Sequence, residues 1–454
     1  MDKQGISRRD FIRRTVGATG ATLAARSILL EPKLLAASPR SMPPSDRVRF
    51  ASIGTGVRGC EIMQAALACP GAEIVAVCDL YDGRLVAGQE VAGKPLFTTK
   101  DYRAILDRKD VDAVLVATPD HWHRKLVEDA CAAGKDVYCE KPMSHTVEDG
   151  FGMVAAMQKH SRIVQVGSQR CSSVIYAKAK EIYDSGYLGD VTAIEAWIDR
   201  NDASGAWVYP IPPDASDKTI DWNQFLGSAP KLPYDPKRFF RWRCYQDYGE
   251  GLAGDLFVHL LTGIHYVTGH NAPPLRAASM GGLFRWTEDR DVPDLIWTLY
   301  EYPTFRVGMR CNLNNDVAGE MTRIFGTKGT LEISGETVTL KPQDTAPKPE
   351  SYSIYGWPEK LRAAYLKQWK AEHPETAPGK YLVAEATETY QAPPGYDATR
   401  DHIHNLFESV RTREPSVEDA VFGNHTAIAC HMANHSYFSN SIATWDAATK
   451  TIKG

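Results

Sequence analysis

From residue 47 to 167, short apolar runs alternate with stretches whose apolar positions recur every three or four residues. The runs at 47–53, 73–78, 111–117, 136–140 and 163–167 are continuous rather than alternating, the pattern of strands buried on both faces. The stretches between them predict helices from about 62 to 67, from about 121 to a stop at Gly134, and from about 147 to 159. Strand and helix in strict alternation predict an α/β fold with a doubly wound parallel sheet. After a further helix at about 172–185 the period changes to two. Segments 191–198, 276–283, 295–302, 306–313, 322–325 and 330–333 alternate in the manner of an open, mostly antiparallel sheet with one face packed and one free. The chain thus divides into a first unit at 47–170 and an α+β unit at 171–454, the latter holding a Pro-rich insertion at 341–397 with a helix predicted at about 359–372.

Chemistry concentrates at the ends of the first unit's strands. The first strand runs into Gly54-Thr55-Gly56-Val57-Arg58-Gly59 and a helix follows at once. Strand before and helix after give this spacing its meaning as a Rossmann dinucleotide fingerprint: a tight turn, a backbone that approaches a pyrophosphate, and a close helix–strand contact. Asp79 ends the next strand, 20 residues beyond the third glycine, where a carboxylate accepts the ribose hydroxyls and repels a 2′-phosphate. NAD is expected over NADP, although nearby Arg84 keeps NADP open. The run Asp136-Val137-Tyr138-Cys139-Glu140-Lys141-Pro142 carries Lys141 to a strand's C-terminal end, the end at which open parallel sheets bind ligands. Asp255 and His259 are four apart and share a face on a helix. A carboxylate there orients an imidazole and raises its basicity, as a general base requires; the alternative is a capped helix start with a buried, satisfied histidine.

Composition narrows the partners. With 454 residues, 43% hydrophobic and 24% charged, the chain is long enough for two cores. Its net charge of −4 and the lack of a basic block interleaved with aromatics argue against nucleic acid and for small ligands. Ser7-Arg8-Arg9-Asp10-Phe11-Ile12-Arg13, then a weakly apolar stretch at 16–30, resembles a twin-arginine export signal over residues 1–37, with a processing site near Ala36-Ala37-Ser38. The expected location is periplasmic. Gly17, Gly20 and Arg26 interrupt the stretch well short of the ~20 apolar residues of a membrane span, so no membrane insertion is expected after processing. Seven basic against three acidic residues leave this segment at +4 and the remainder near −8. The nine cysteines are scattered and form no Cys-x-x-Cys pair, so buried free thiols are expected. His402-x-His404 and His431-x-x-x-His435 have no companion ligands of recognisable spacing; they read as structural, and no metal is expected.

The glycine fingerprint, Asp79, Thr118-Pro119 with His123 four beyond, and Glu140-Lys141-Pro142 occur in an order and pacing that resemble the Gfo/Idh/MocA oxidoreductases, the group that includes glucose-fructose oxidoreductase and inositol dehydrogenase. The likeness runs from Arg47 to about Phe438. It implies a cofactor site of Gly54, Gly56, Val57, Arg58, Gly59, Asp79, Thr118, Pro119, His123, Glu140 and Lys141, with the free sheet face closing over the nicotinamide. It implies a catalytic set of Lys141, Asp255 and His259: His259 as base for a substrate hydroxyl, Lys141 bonded to the same oxygen, Asp255 positioning the substrate or His259. Two departures stand out, namely Phe257 where the family's Asp-x-Gly-x-His form has glycine, and the insertion at 341–397. Trp207, Trp222, Arg241, Trp242 and Arg243 either offer a sugar stacking faces and donors or are core residues. The expected function is hydride transfer between a sugar or polyol secondary alcohol and a tightly bound NAD, in a homo-oligomer. Alternatives are a redox-neutral glycosidase that uses NAD transiently on glycosides, and a sugar-binding protein that has kept the fold.

Overall fold

The computed structural model describes residues 46–343, 348–374 and 387–454; the segment read as an export signal lies outside the described residues. Strands β1 (Val48–Ile53), β2 (Ala72–Cys78), β3 (Phe97–Thr99), β4 (Ala113–Val116), β5 (Asp136–Glu140) and β6 (Val164–Gly167) form a parallel sheet in the order β3-β2-β1-β4-β5-β6. Helices α1 (Val57–Leu67), α2 (Asp82–Ala92), α3 (His123–Ala132) and α4 (Val147–His160) make the crossovers. Because side chains alternate along a strand, Phe50, Leu115 and Tyr138 pack into one core with α1, while Ala51, Val114, Val116 and Val137 pack into another with α3 and α4. Both faces are covered, which is why these strands read as unbroken apolar runs.

After α5 (Val174–Asp184), the second sheet comprises β7 (Val191–Asp199), β8 (Arg276–Gly282), β9 (Leu295–Glu301), β10 (Arg306–Asn312), β11 (Glu320–Gly326), β12 (Gly329–Ser334), β13 (Thr337–Pro342), β14 (Glu388–Gln391), β15 (Ile442–Asp446) and β16 (Thr451–Lys453). Their order is β14-β13-β12-β11-β7-β10-β9-β8-β15-β16, antiparallel except where β7 meets β10. Val307, Met309 and Cys311 of β10 and Ile296 and Tyr300 of β9 face the large second core, which holds the almost wholly buried α6 (Val258–Thr268). The insertion contributes α7 (Glu359–Glu372), none of whose residues is buried, before β14 returns to the edge of the sheet. Sequence periodicity did not anticipate β3 or β13 to β16; β3 has three residues, and the outer strands owe their pairing to distant partners.

The last helices tie the two sheets together. In α8 (Ala398–Thr412), Ile403, Leu406 and Phe407 join the core around β1, and the Phe407 ring lies 5.7 Å from that of Phe50. Helix α9 (Ala420–Ser439) packs against both α4 and β8. All nine cysteines are free thiols, and eight are buried. Among the described residues no helix is long and apolar enough to cross a membrane.

His402 of α8 lies at this junction, fully buried, with Nε2 donating to the Val166 carbonyl (2.7 Å) and Nδ1 accepting from the Ser172 hydroxyl (2.7 Å). Burial pushes its pKa down to about 4, and burial pushes that of His265 down to about 3. Both lie below the unfolded value near 6.5, so the unfolded chain takes up these protons first as pH falls. Stability is therefore full above about pH 6.5 and declines as pH drops toward 4, by up to ~1.4 kcal/mol per pH unit for each histidine. Urea unfolding at pH 7.5, 6.0 and 5.0 should show this loss, with a shallower slope in His402→Asn; equal slopes in the two proteins would remove His402 from the account.

Candidate active site

The sharp turn out of β1 is built from glycine for steric reasons. Gly54 has φ +91°, and a Cβ there would lie 2.5 Å from the Ala117 carbonyl oxygen; a Cβ on Gly59 would lie 2.1 Å from the Gly54 oxygen. The turn leaves Val57 exposed at the start of α1, whose first-turn N–H groups have no partners within the helix. Asp79, at the end of β2, receives the Thr55 N–H (2.8 Å) and the Tyr81 N–H (3.1 Å), which fixes its carboxylate beside the turn. Arg58 reaches back to Glu140 (2.7 Å), so Glu140 positions Arg58, while the buried Thr118 hydroxyl has no partner among the described residues. A backbone cradle at a helix N-terminus, an acidic residue at the ribose position and an orphaned hydroxyl in the same cleft fit a dinucleotide. The residues that would hold NAD are Gly54, Gly56, Val57, Arg58, Gly59, Asp79, Thr118 and Pro119, all of which line one cleft of about 420 Å³.

The same cleft runs on to Lys141, Asp255 and His259. Lys141 Nζ donates to the Asp255 carboxylate (2.9 Å) and to the Asp255 carbonyl (3.0 Å), joining the end of β5 to the second domain. Arg243 Nε donates to the same carboxylate oxygen at 3.1 Å. Burial opposes ionisation of Asp255, and the attraction of Lys141 and Arg243 overcomes it, holding the group below the usual carboxylate range. Close by, Asp120 is buried with one carboxylate oxygen unpartnered among the described residues. Burial and the charges of Asp255 and Glu250 push its pKa well up, which favours the neutral acid.

Two expectations change here. Asp255 and His259 do not form an orienting pair: Asp255 sits in a π-helical turn (Ala253–Phe257), wider than an α-turn, and its charge is taken up by Lys141 and Arg243. His259, in the first turn of α6, makes no hydrogen bond to a described residue and faces the cleft. Burial and then the charges of Lys141, Arg170 and Arg200 hold its pKa well below the usual histidine value, so the ring is a neutral proton acceptor at pH 7. His123 does not line the cleft at all. It is fully buried, with its ring nitrogens 2.9 Å from the Pro142 carbonyl and 3.0 Å from the Thr118 carbonyl, and so ties the loop after β4 to the segment carrying Lys141.

Sequence reasoning missed the groups that close the cleft. Between β7 and the π-turn, residues 201–245 cross to the first domain, where Asp82 N–H donates to Thr219 O (3.1 Å), Asp221 N–H to Leu80 O (2.9 Å) and Lys100 Nζ to Thr219 O (3.1 Å). This strap places Phe225, Phe239 and Phe240 in the cleft wall, with Arg84 stacked on the last two rings at 5.2 and 5.3 Å. Of the aromatic candidates, Trp207 and Trp242 line the cleft, whereas Trp222 is buried on Phe225 outside it and Arg241 donates to the Tyr209 carbonyl. Arg200 and Tyr209 also line the cleft, and no local pattern marks either of them. The paired histidines are engaged elsewhere: His431 donates to Glu250, and His435 bonds the Gly454 carbonyl.

Comparison with known proteins agrees with the Rossmann fold of the first domain. A model of the Gfo/Idh/MocA oxidoreductases, described as an oxidoreductase family with an NAD-binding Rossmann fold, matches residues 48–168. An uncharacterized oxidoreductase, YrbE of Bacillus subtilis, is 30% identical over 300 residues, covering 65% of this chain and 76% of that protein. The chain belongs to the Gfo/Idh/MocA oxidoreductase family. Two further relatives match over shorter stretches, the chain spanning about half of the length of each. Inositol 2-dehydrogenase 1 of Saccharopolyspora erythraea is 36% identical over 156 residues, 34% of this chain and 46% of the relative. Glycosyl hydrolase family 109 protein 2 of a Shewanella species is 34% identical over 209 residues, 42% of this chain and 46% of the relative. A levoglucosan dehydrogenase solved with NADH and levoglucosan shares the fold, with a TM-score of 0.64 at 16% identity over 88% of this chain and 99% of its own.

Replacing Asp255 by asparagine keeps the volume and removes the charge that Lys141 and Arg243 share. Breaking a buried pair in this way costs about 3–5 kcal/mol. Asp255→Asn should therefore lower the urea midpoint at pH 7.5 substantially; an unchanged midpoint would mean that the two cations do not depend on this carboxylate.

Proposed function

We propose that the protein is an NAD-dependent oxidoreductase that moves a hydride between a secondary alcohol of a sugar or polyol and a nicotinamide cofactor it does not release. One observation carries this reading: a cation fixed by Asp255 and a neutral imidazole line the same cleft as the dinucleotide cradle. When bound, the nicotinamide supplies the hydride acceptor, and the donor for the reverse step. His259 takes the hydroxyl proton as the carbon–hydrogen bond breaks, while Lys141 Nζ, held by Asp255, donates to the oxygen on which negative charge develops. In the return direction His259 gives the proton back. Trp207 and Trp242 line the cleft and help exclude water.

The strap at 201–245 supports retention of the cofactor, because its backbone bonds to Leu80 and Asp82 lie beside the cradle. The N-terminal segment supports export by the twin-arginine route, which carries folded proteins, and hence a periplasmic location. No free nicotinamide pool exists there, so a resident cofactor has to be regenerated within each cycle. That requirement and the likeness to a family 109 glycosyl hydrolase favour, as a second reading, a glycosidase that oxidises a sugar hydroxyl, eliminates the aglycone and returns the hydride. The free face of the second sheet, expected to close over the nicotinamide, contributes no strand residue to the cleft; for assembly we take this face, where Met280, Trp297 and Leu299 are exposed on neighbouring strands, as the surface that pairs with a second copy.

Denaturing the purified protein should release about one nicotinamide per chain. Added sugars or polyols should leave reduced cofactor and a keto product, whereas glycosides that lose their aglycone with no net reduction would favour the second reading. Lys141→Ala should lower turnover by about 10²–10⁴-fold with the nicotinamide still bound. Wild-type rates in that variant would refute the assignment of Lys141.

A further inference from the structure

The substrate end of the cleft carries more positive charge than hydride transfer needs. Lys141, Arg243 and Arg200 line it beside His259, and the carboxylate among these lining groups, Asp255, is shared by Lys141 and Arg243. Arg243 commits only its Nε to Asp255 and stacks its guanidinium on Trp242 at 4.2 Å, so its terminal nitrogens have no protein partner among the described residues. Arg200 follows β7 directly. The neighbouring carboxylate, Asp199, is taken by Arg310 at 2.7 Å, and Arg200 forms no ion pair or side-chain hydrogen bond with any described residue. Its backbone is pinned all the same, with its N–H on the Asn312 carbonyl (2.8 Å) and its side chain against the loop that holds Gly205. The Tyr209 phenol lies within the electrostatic reach of both guanidinium groups.

An arginine that forms no ion pair with a described residue, lining the same part-buried cleft as a second arginine with free donors, is a costly arrangement for a neutral ligand. A planar carboxylate satisfies it, because each guanidinium offers a fork of parallel N–H donors that matches two carboxylate oxygens. We propose that the substrate is a sugar acid, of uronate or aldonate type, whose carboxylate is held by Arg200 with Arg243 while a ring or chain hydroxyl faces Lys141 and His259. This deepens the oxidoreductase reading and rests on it. The shared chemistry with phosphorylated sugars is the anion, and planarity and single charge favour the carboxylate.

The test is calorimetric titration of the purified protein, with its resident cofactor, against D-glucuronate, D-galacturonate and D-gluconate, each beside its neutral counterpart, D-glucose, D-galactose or D-glucitol, and against D-glucose 6-phosphate. At least one acid should bind about tenfold or more tightly than its counterpart, the gain expected of one charge-assisted contact. That ratio should narrow in Arg200→Gln and recover in part in Arg200→Lys, which restores the charge without the fork. No acid surpassing its counterpart overturns the proposal, as does tightest binding of the phosphate ester or an undiminished ratio in both variants. Cofactor absorbance followed in the same samples separates the two claims: an Arg200-dependent preference without hydride transfer supports the acid site and refutes the oxidoreductase reading.

Discussion

The ion pair between Lys141 and Asp255 is the contact on which the site depends. Its partners are 114 residues apart in sequence, and their side chains are only 12% and 4% exposed. Neither charge is tolerable alone at that depth, so the pair forms only when β5 of the first sheet and the π-turn above α6 are brought to one register. Lys141 is thereby oriented in the cleft by the second domain rather than by its own strand. Arg243 shares the carboxylate, which ties the end of the strap into the same arrangement.

His259 owes its chemistry to what surrounds it rather than to a hydrogen-bonded partner. An imidazole desolvated in the cleft and near Lys141, Arg170 and Arg200 resists protonation, so on the proposed reading it serves as a weak base that is always available instead of a strong one that is often already charged. On the proposed readings the same cations favour an anionic substrate, so one charge distribution would account for both base and specificity. The strap adds the third element, bonding the second domain to Leu80 and Asp82 beside the cofactor cradle, which on the proposed reading favours retention of the cofactor.

What the sequence disclosed follows the range of the interactions. Gly54, Gly56, Gly59 and Asp79 belong to a single strand–turn–helix unit whose sterics are local, and Lys141 stands beside a strand-stopping proline. The strand and helix alternation of the first sheet and the period of two in β7 to β12 were equally legible, and the helix within the insertion fell at its predicted residues. The choice of partner for Asp255 was not legible, because spacing of four marks a shared face only on an α-helix, and the chain forms a π-turn there. His123 matched a motif position, yet its burial between two carbonyls is decided by the packing of β4 and β5. The strap depends on contacts between domains, and Arg200 on its pairing with the Asn312 carbonyl after β7; neither leaves a periodic trace.

The neutrality of His259 is the most direct point of test. Hydride transfer to the resident oxidised cofactor should be followed by stopped-flow absorbance in single turnovers from pH 5 to 9. The account predicts a rate that stays level as pH falls through 6.5 and declines only well below it, with this limb absent in His259→Gln. A limb centred at or above 6.5, or one that survives in His259→Gln, would contradict it.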